Sequence, residues 1–508
     1  MTKEAAPHNA REEDDLEGGA LQDPKHEDQE TMPVTRLVAL IAGPVVALVL
    51  WSLPSPEGMP AEAWRLVSLA SWMVIWWLGE AVPIPATALL PIPLMPLYGI
   101  GDMGPVAANY AHPLVFLFLG GFLLAAAMQR WGLHRRIALR IVKVVGTSPG
   151  GIIAGFMLAT AFLSMWISNT ATTIMMFAVG LSVVEFVSRK VTDENTIHNF
   201  GVALMLSIAY AASIGGVGTL IGTPPNALLA SFLQSTYEIE IDFFTWMLLG
   251  IPVVVVMLPS AWLLLTKLVF PTRHLELGDA GSVIADELAA LGQMSRGEKV
   301  VAGVFACAAL GWILRRQLVS VTGLPINDTA IALIAALVLF AWPISRERGH
   351  FALSWDDARH VPWGVLLLFG GGLALAGGFK GTGLADWIGN TVGGFEIGVW
   401  ALIFVVSAAI VYLTEITSNT ASTATFLPIL GAVAVGLGLD PRLLAVPVAL
   451  GASMAFMMPV ATPPNAIVFS YEKMQLGDMV RAGFWLNIVA VAVCFGAMYV
   501  LAGAVFGI

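Results

Sequence analysis

The sequence predicts an all-α polytopic membrane protein, with about eleven transmembrane helices and two re-entrant hairpins arranged as two inverted repeats. Three observations carry this prediction. Of 508 residues, 57% are hydrophobic and only 12% charged, too little charge for a soluble chain of this length. The run Ser168-Asn169-Thr170-Ala171-Thr172-Thr173 returns 250 positions later as Ser418-Asn419-Thr420-Ala421-Ser422-Thr423. A second pair accompanies it: Gly222-Thr223-Pro224-Pro225-Asn226-Ala227 and Ala461-Thr462-Pro463-Pro464-Asn465-Ala466.

Residues 1–33 hold ten Asp and Glu against three Lys and Arg, and read as a disordered acidic cytoplasmic tail. The tail carries most of the net charge of −10, so the rest is nearly neutral. Nothing basic or aromatic-rich points to nucleic acid. Residues 34–270 form the first repeat, 271–297 a cytoplasmic linker and 298–508 the second repeat. Apolar stretches long enough to span lie near 36–53, 63–80, 84–100, 113–130, 200–232, 243–270, 298–314, 327–345, 361–380, 443–470 and 482–506. Two regions, 149–187 and 394–437, are too long for one span and are interrupted by the Ser-Asn-Thr runs. Each reads as a hairpin with its polar run at the tip, tolerable at that depth only beside protein or a wet cavity.

With the N-terminus inside, fifteen basic residues fall in cytoplasmic loops and five outside: Arg65, Arg315, Arg316, Lys380 and Arg442. That bias sets the orientation, although the Arg315-Arg316 pair runs against it. The repeat extends further, since Val115–Gly121 matches Val365–Gly371. An odd number of spans separates the copies, so the halves are inverted, the plan of secondary transporters. The stretch 133–146 is basic and amphipathic, with 383–391 as its candidate counterpart; such helices lie along a membrane surface. The Gly120-Gly121 and Gly370-Gly371-Gly372 runs suit close helix packing rather than phosphate binding.

Ser, Asn and Thr donate hydrogen bonds to carboxylates and offer oxygens to a hard cation. A hairpin tip adds free amides at the start of its second helix and free carbonyls at the end of its first. One tip therefore suits an anion and Na⁺ together, and two tips suit a substrate with two acidic groups. The double prolines break their spans, making the carbonyls of Gly222 and Ala461 candidate cation ligands. Ser164 and Thr414 precede the two runs by one helical turn, at the same offset in both halves. Ordinary N-capping is the competing explanation; four sites paired by repeat and set mid-membrane weigh against it. Glu415 lies beside the second tip with Met165 as its counterpart, so it is an intramembrane acid but not a symmetric ligand. Cys307 and Cys494 sit in apolar sequence and imply neither disulfide nor metal site. No catalytic or metal-ligand constellation is visible, so an enzyme is not expected.

The stretch Ala452–Val468 resembles the signature of the divalent anion:sodium symporter family, the sodium-coupled dicarboxylate, citrate and sulfate carriers. Trp76–Pro83 with Thr87–Pro91 is similar to the family's early motif, with Gly79 where Thr is usual. The resemblance covers about residues 36–508. It implies a homodimer working by an elevator mechanism in the cell membrane. It places one Na⁺ site at Ser164, Ser168, Asn169 and Gly222, and a second at Thr414, Thr417, Asn419 and Ala461. Substrate carboxylates would meet Ser168, Asn169 and Thr170 and Ser418, Asn419 and Thr420, with Thr223, Thr462 and Pro463 beside them. The expectation is Na⁺-coupled import of a succinate-, malate- or fumarate-type dicarboxylate. Sulfate or citrate symport, or Na⁺-independent dicarboxylate exchange, are the alternatives within the fold. The short 271–297 linker favours carboxylates over sulfate, and the lack of Lys, Arg or His near either motif favours sodium.

Overall fold

The computed structural model describes residues 33–146, 148–191, 193–272, 280–345, 349–393 and 398–508. The acidic tail, except Pro33, lies outside the described residues, as does the 273–279 part of the linker. The described elements are helices apart from one short antiparallel ribbon, Pro343–Ser345 against His350–Phe351, which the all-α expectation omitted.

Among the described residues, eight helices are long and apolar enough to cross a membrane. Counting the bent pair Arg296–Ile313 and Arg315–Thr322 as one span makes nine. The eight include the second arms of both hairpins, which the eleven expected spans did not count, and leave out several expected stretches whose helices are cut or short. The 84–100 stretch, which holds four prolines, becomes Ile84–Thr87 and Pro91–Leu97. The 200–232 stretch becomes Glu194–Gly216 and Pro224–Tyr237, and 443–470 becomes Arg442–Ala452 and Pro463–Phe469. In the last two cases the double proline opens the second helix, where a missing N–H costs nothing.

The two halves run through the same elements in the same order. In the first come a helix ending at Arg130, amphipathic Leu133–Val145 and the hairpin Pro149–Ser164 with Asn169–Ser188. The broken helix and Phe243–Leu263 follow. In the second come Trp363–Gly381, Leu384–Val392 and the hairpin Val399–Leu413 with Asn419–Gly436. Its broken helix and Leu476–Phe506 complete the set. Both amphipathic helices start after a left-handed glycine, Gly132 (φ 69°) and Gly383 (φ 76°), a conformation that strains any residue with a Cβ.

Packing crosses between the halves. A Cβ on Gly120 would sit 2.6 Å from the Cβ of Ala332, and one on Gly371 would sit 2.4 Å from the Ala88 carbonyl oxygen. Each glycine thus admits the other half's backbone, as the sequence suggested. The centre is Glu194–Gly216, buried at every position from Phe200 to Gly216, as befits a helix apolar on all sides. Val34–Ser52 is the opposite case and exposes Leu37, Val38, Ile41, Val45 and Leu48. Two charged clusters tie elements together. Arg136 and Glu298 form a buried pair at 2.6 Å, joining the first amphipathic helix to the first helix of the second half. Arg315 and Arg316 meet Glu240, Asp242 and Asp328 at 2.7–3.5 Å. That network neutralises the arginine pair that opposed the charge bias.

Candidate functional site

The first hairpin turns through Met165–Ser168, a four-residue link between its arms. Ser164 closes the first arm, and its hydroxyl reaches the Asn169 amide at 2.5 Å and the Ala212 carbonyl at 2.8 Å. With its nitrogen facing inward, Asn169 also donates to Ala212 O at 3.3 Å and Gly222 O at 3.2 Å. Oxygens of Ser164, Ala212 and Gly222 therefore converge on one carboxamide. A Cβ on Gly216 would lie 2.8 Å from Asn169 Oδ1 and 3.2 Å from Gly222 O, so the small residue keeps the nest open. The unwound stretch is longer than expected and lies upstream: the helix ends at Gly216. Gly222 closes the break rather than preceding it.

The second half repeats this pattern. The Thr414 hydroxyl bonds Asn419 Oδ1 at 2.7 Å and Ala452 O at 3.1 Å. Thr417 is engaged differently, donating to Leu413 O at 2.9 Å and meeting the Ser422 hydroxyl at 2.6 Å. Ala461 is buried at the end of its own unwound stretch, where a short 3₁₀ turn, Pro459–Ala461, leads into the helix. Here too the preceding helix ends earlier, at Ala452.

Capping does not account for these residues. Elsewhere in the chain Ser148, Asp193, Asp242 and Ser295 accept N–H bonds from the helices they open. Ser168, Ser418 and Thr223 occupy the same N-cap position and make no such bond. Thr462 is the exception, accepting from Asn465 N at 3.2 Å. Among the described residues the side-chain hydroxyls of Ser168, Thr170, Thr223, Ser418 and Thr420 have no hydrogen-bond partner. Together with the first-turn amides of two helices, they form a neutral set of donors suited to carboxylate oxygens. The tertiary packing brings the halves together here. Each hairpin's first arm lies on its own broken helix, and its second arm lies on the Thr-Pro-Pro-Asn helix of the other half. Pro463 is exposed at the start of the helix that packs on Asn169–Ser188.

Asn226, Asn465 and Asn487 were not singled out from the sequence, whereas Glu415 was. Asn226 Nδ2 donates to the carbonyls of Gly216 (3.1 Å) and Thr219 (2.8 Å). Asn465 Nδ2 donates to the corresponding carbonyls of Ala455 (3.2 Å) and Met458 (3.0 Å). Each asparagine holds its unwound stretch in shape, and its presence in both motifs was the available signal. Glu415 is buried and accepts from the amides of Phe456 (2.7 Å), Met457 (3.0 Å) and Met458 (3.0 Å). Asn487, from the last long helix, adds a bond at 2.7 Å. Nothing in the sequence pointed to Asn487.

Comparison with known proteins agrees with this geometry. The family model described as "Sodium:sulfate symporter transmembrane region" matches residues 34–507. The chain is 40% identical over 488 residues to a protein of Staphylococcus saprophyticus named sodium-dependent dicarboxylate transporter SdcS, covering 95% of this chain and 94% of that one. A protein of the same name from Staphylococcus aureus strain USA300 is 39% identical over 493 residues, with the same coverage. The fold is similar to the crystal structure of the Alcanivorax borkumensis YdaH transporter, with a TM-score of 0.54 and 15% identity. That likeness covers 93% of this chain and 97% of the other.

Proposed function

Because the chain belongs to the divalent anion:sodium symporter family, we propose that it is a secondary active transporter importing a succinate-, malate- or fumarate-type dicarboxylate together with Na⁺. The observation that carries this is the matched pair Ser164–Asn169 and Thr414–Asn419, each set against a carbonyl of an unwound helix. Sodium is the coupling ion. Oxygens of Ser164, Ala212 and Gly222 gathered round one turnable amide are the hard, neutral ligands it prefers. When Asn169 presents its oxygen instead, the nest offers four such ligands. Thr414, Asn419, Ala452 and Ala461 supply the second copy, with Thr417 beside them.

The unbonded hydroxyls of Ser168, Thr170, Ser418 and Thr420, flanked by Thr223, Thr462 and Pro463, are the substrate's ligands in this reading. Two neutral clamps suit a molecule with a carboxylate at each end. Sodium orders both tips before the anion arrives, so each ligand lowers the ordering cost of the other. We place the protein in the cell membrane with its N-terminus in the cytoplasm, its halves inverted. We take it to work as a homodimer whose hairpins and broken helices move as an elevator.

The test is radiolabelled succinate uptake into proteoliposomes under an inward Na⁺ gradient, against an equal K⁺ gradient. Uptake only with Na⁺ is expected. Equal uptake in K⁺ that depends on internal dicarboxylate would mean exchange, and inhibition by sulfate or citrate but no succinate uptake would reassign the substrate.

A further inference from the structure

An open groove of about 900 Å³ runs between Arg296–Ile313 and Asp328–Ala341. Its floor is a trough of small residues one turn apart, with Gly303 and Cys307 exposed and Gly311 against Ile331. The walls are apolar, including Ile334, 61% exposed. One end carries Arg296 and Lys299, both exposed, with Trp342 beside them at the end of the returning helix.

The charges at the two ends of these helices are handled differently. At the elbow, Arg315 and Arg316 are matched by three carboxylates. At the mouth, Arg296 and Lys299 have no ion-pair partner among the described residues, and Glu298 between them is turned inward onto Arg136. We propose that the groove seats one anionic glycerophospholipid, its phosphate between Arg296 and Lys299 and an acyl chain along Gly303 and Cys307. Basic pockets between membrane helices bind such headgroups, and an exposed tryptophan marks the interfacial level where a headgroup lies. The 18 residues of Arg296–Ile313 give a trough of about 27 Å, more than one leaflet's acyl depth of about 15 Å. A second copy of the chain fits less well. In a two-fold pair about the membrane normal, Arg296 and Lys299 would face their own equivalents at the same depth, with no acid among the described residues of the groove lining to answer them.

Cys307 reports on the groove directly, because it is exposed there while Cys494 is fully buried. The experiment compares N-ethylmaleimide labelling of the full chain in nanodiscs of phosphatidylglycerol and of phosphatidylcholine, with native mass spectrometry of retained lipid. Slower labelling in phosphatidylglycerol is expected, with a preference of roughly 25-fold, since each exposed cation near an anionic headgroup contributes about 5-fold. The preference should vanish in the Arg296→Gln/Lys299→Gln variant. Gly303→Leu, whose added Cβ meets nothing within 4 Å, should release the retained lipid while leaving the charges in place. Equal labelling in both lipids, protection that survives loss of both cations, or efficient Cys307-to-Cys307 cross-linking by a bis-maleimide would each overturn the proposal; the last would put a second copy in the groove.

Discussion

Two asparagines, 250 positions apart, sit at equivalent places and are held by equivalent hydroxyls. Asn169→Ala and Asn419→Ala are each expected to lower Na⁺-driven succinate uptake by about 10- to 100-fold, because a hydrogen bond to a charged group contributes about 1.5–3 kcal/mol. Uptake in proteoliposomes measures this, with circular dichroism to show that helix content is kept. Glu415 is a different kind of residue. Its carboxylate takes three consecutive backbone amides and Asn487, so it holds the second break in place without belonging to the symmetric ligand set. In Glu415→Gln an amide NH₂ faces those donors, at a cost of about 1–3 kcal/mol for an unsatisfied buried group. A lower melting temperature and a higher Na⁺ requirement for uptake should appear together; if neither moves, the carboxylate does not organise the break. Much of this site was legible in the sequence because polar residues stand out in apolar surroundings and repeat. Ser164, Asn169, Thr414 and Asn419 were found that way. Asn487 was not, because a lone asparagine on a long apolar helix has no counterpart to flag it.

At the level of elements, the unwound stretches decide what the tips can hold. Both begin upstream of their prolines, after Gly216 and Ala452, and a sequence reading that takes proline as the breaker places them too late. Proline cannot be refused at the first turn of a helix, so it marks where the chain rewinds. The unwound stretches are held by hydrogen bonds from Asn226 and Asn465, which reach back 7 and 10 residues, and from Glu415, which reaches 41 residues ahead to Phe456; none of these follows a helical or strand repeat. Hydropathy is blind to the break as well, registering 200–232 as one apolar stretch whether or not its middle is helical. Gly216→Ala tests the first stretch. Its methyl would intrude on Asn169 Oδ1 and Gly222 O, and overpacking of this kind costs about 1–3 kcal/mol. The Na⁺ concentration for half-maximal uptake should rise by about tenfold or more, with little change in the succinate requirement at saturating Na⁺.

Across the whole molecule, the halves are joined by buried charge as well as by apolar packing. Arg136 also donates to the carbonyls of Gly292 (2.8 Å) and Leu291 (3.0 Å), so the pair with Glu298 pins the first half to the start of the second. Arg136→Met leaves an unpaired buried acid and should destabilise by about 3–5 kcal/mol, whereas Arg136→Met/Glu298→Leu should recover most of that loss. Thermal unfolding in detergent reads both, and a double variant no more stable than the single one would mean that the pair contributes through something other than its charge. The other long-range feature is the exchange of arms, each hairpin's second arm lying on the other half's Thr-Pro-Pro-Asn helix. During synthesis the first tip, at Asn169, cannot be completed until Pro463 has left the ribosome. At about 5–20 residues per second that interval lasts roughly 15–60 s, during which a neutral but strongly polar turn waits in the membrane without its partner. Charge at that tip would make the wait far more costly, so the absence of ionisable groups from the Ser-Asn-Thr run serves the chain's biogenesis as well as its turnover.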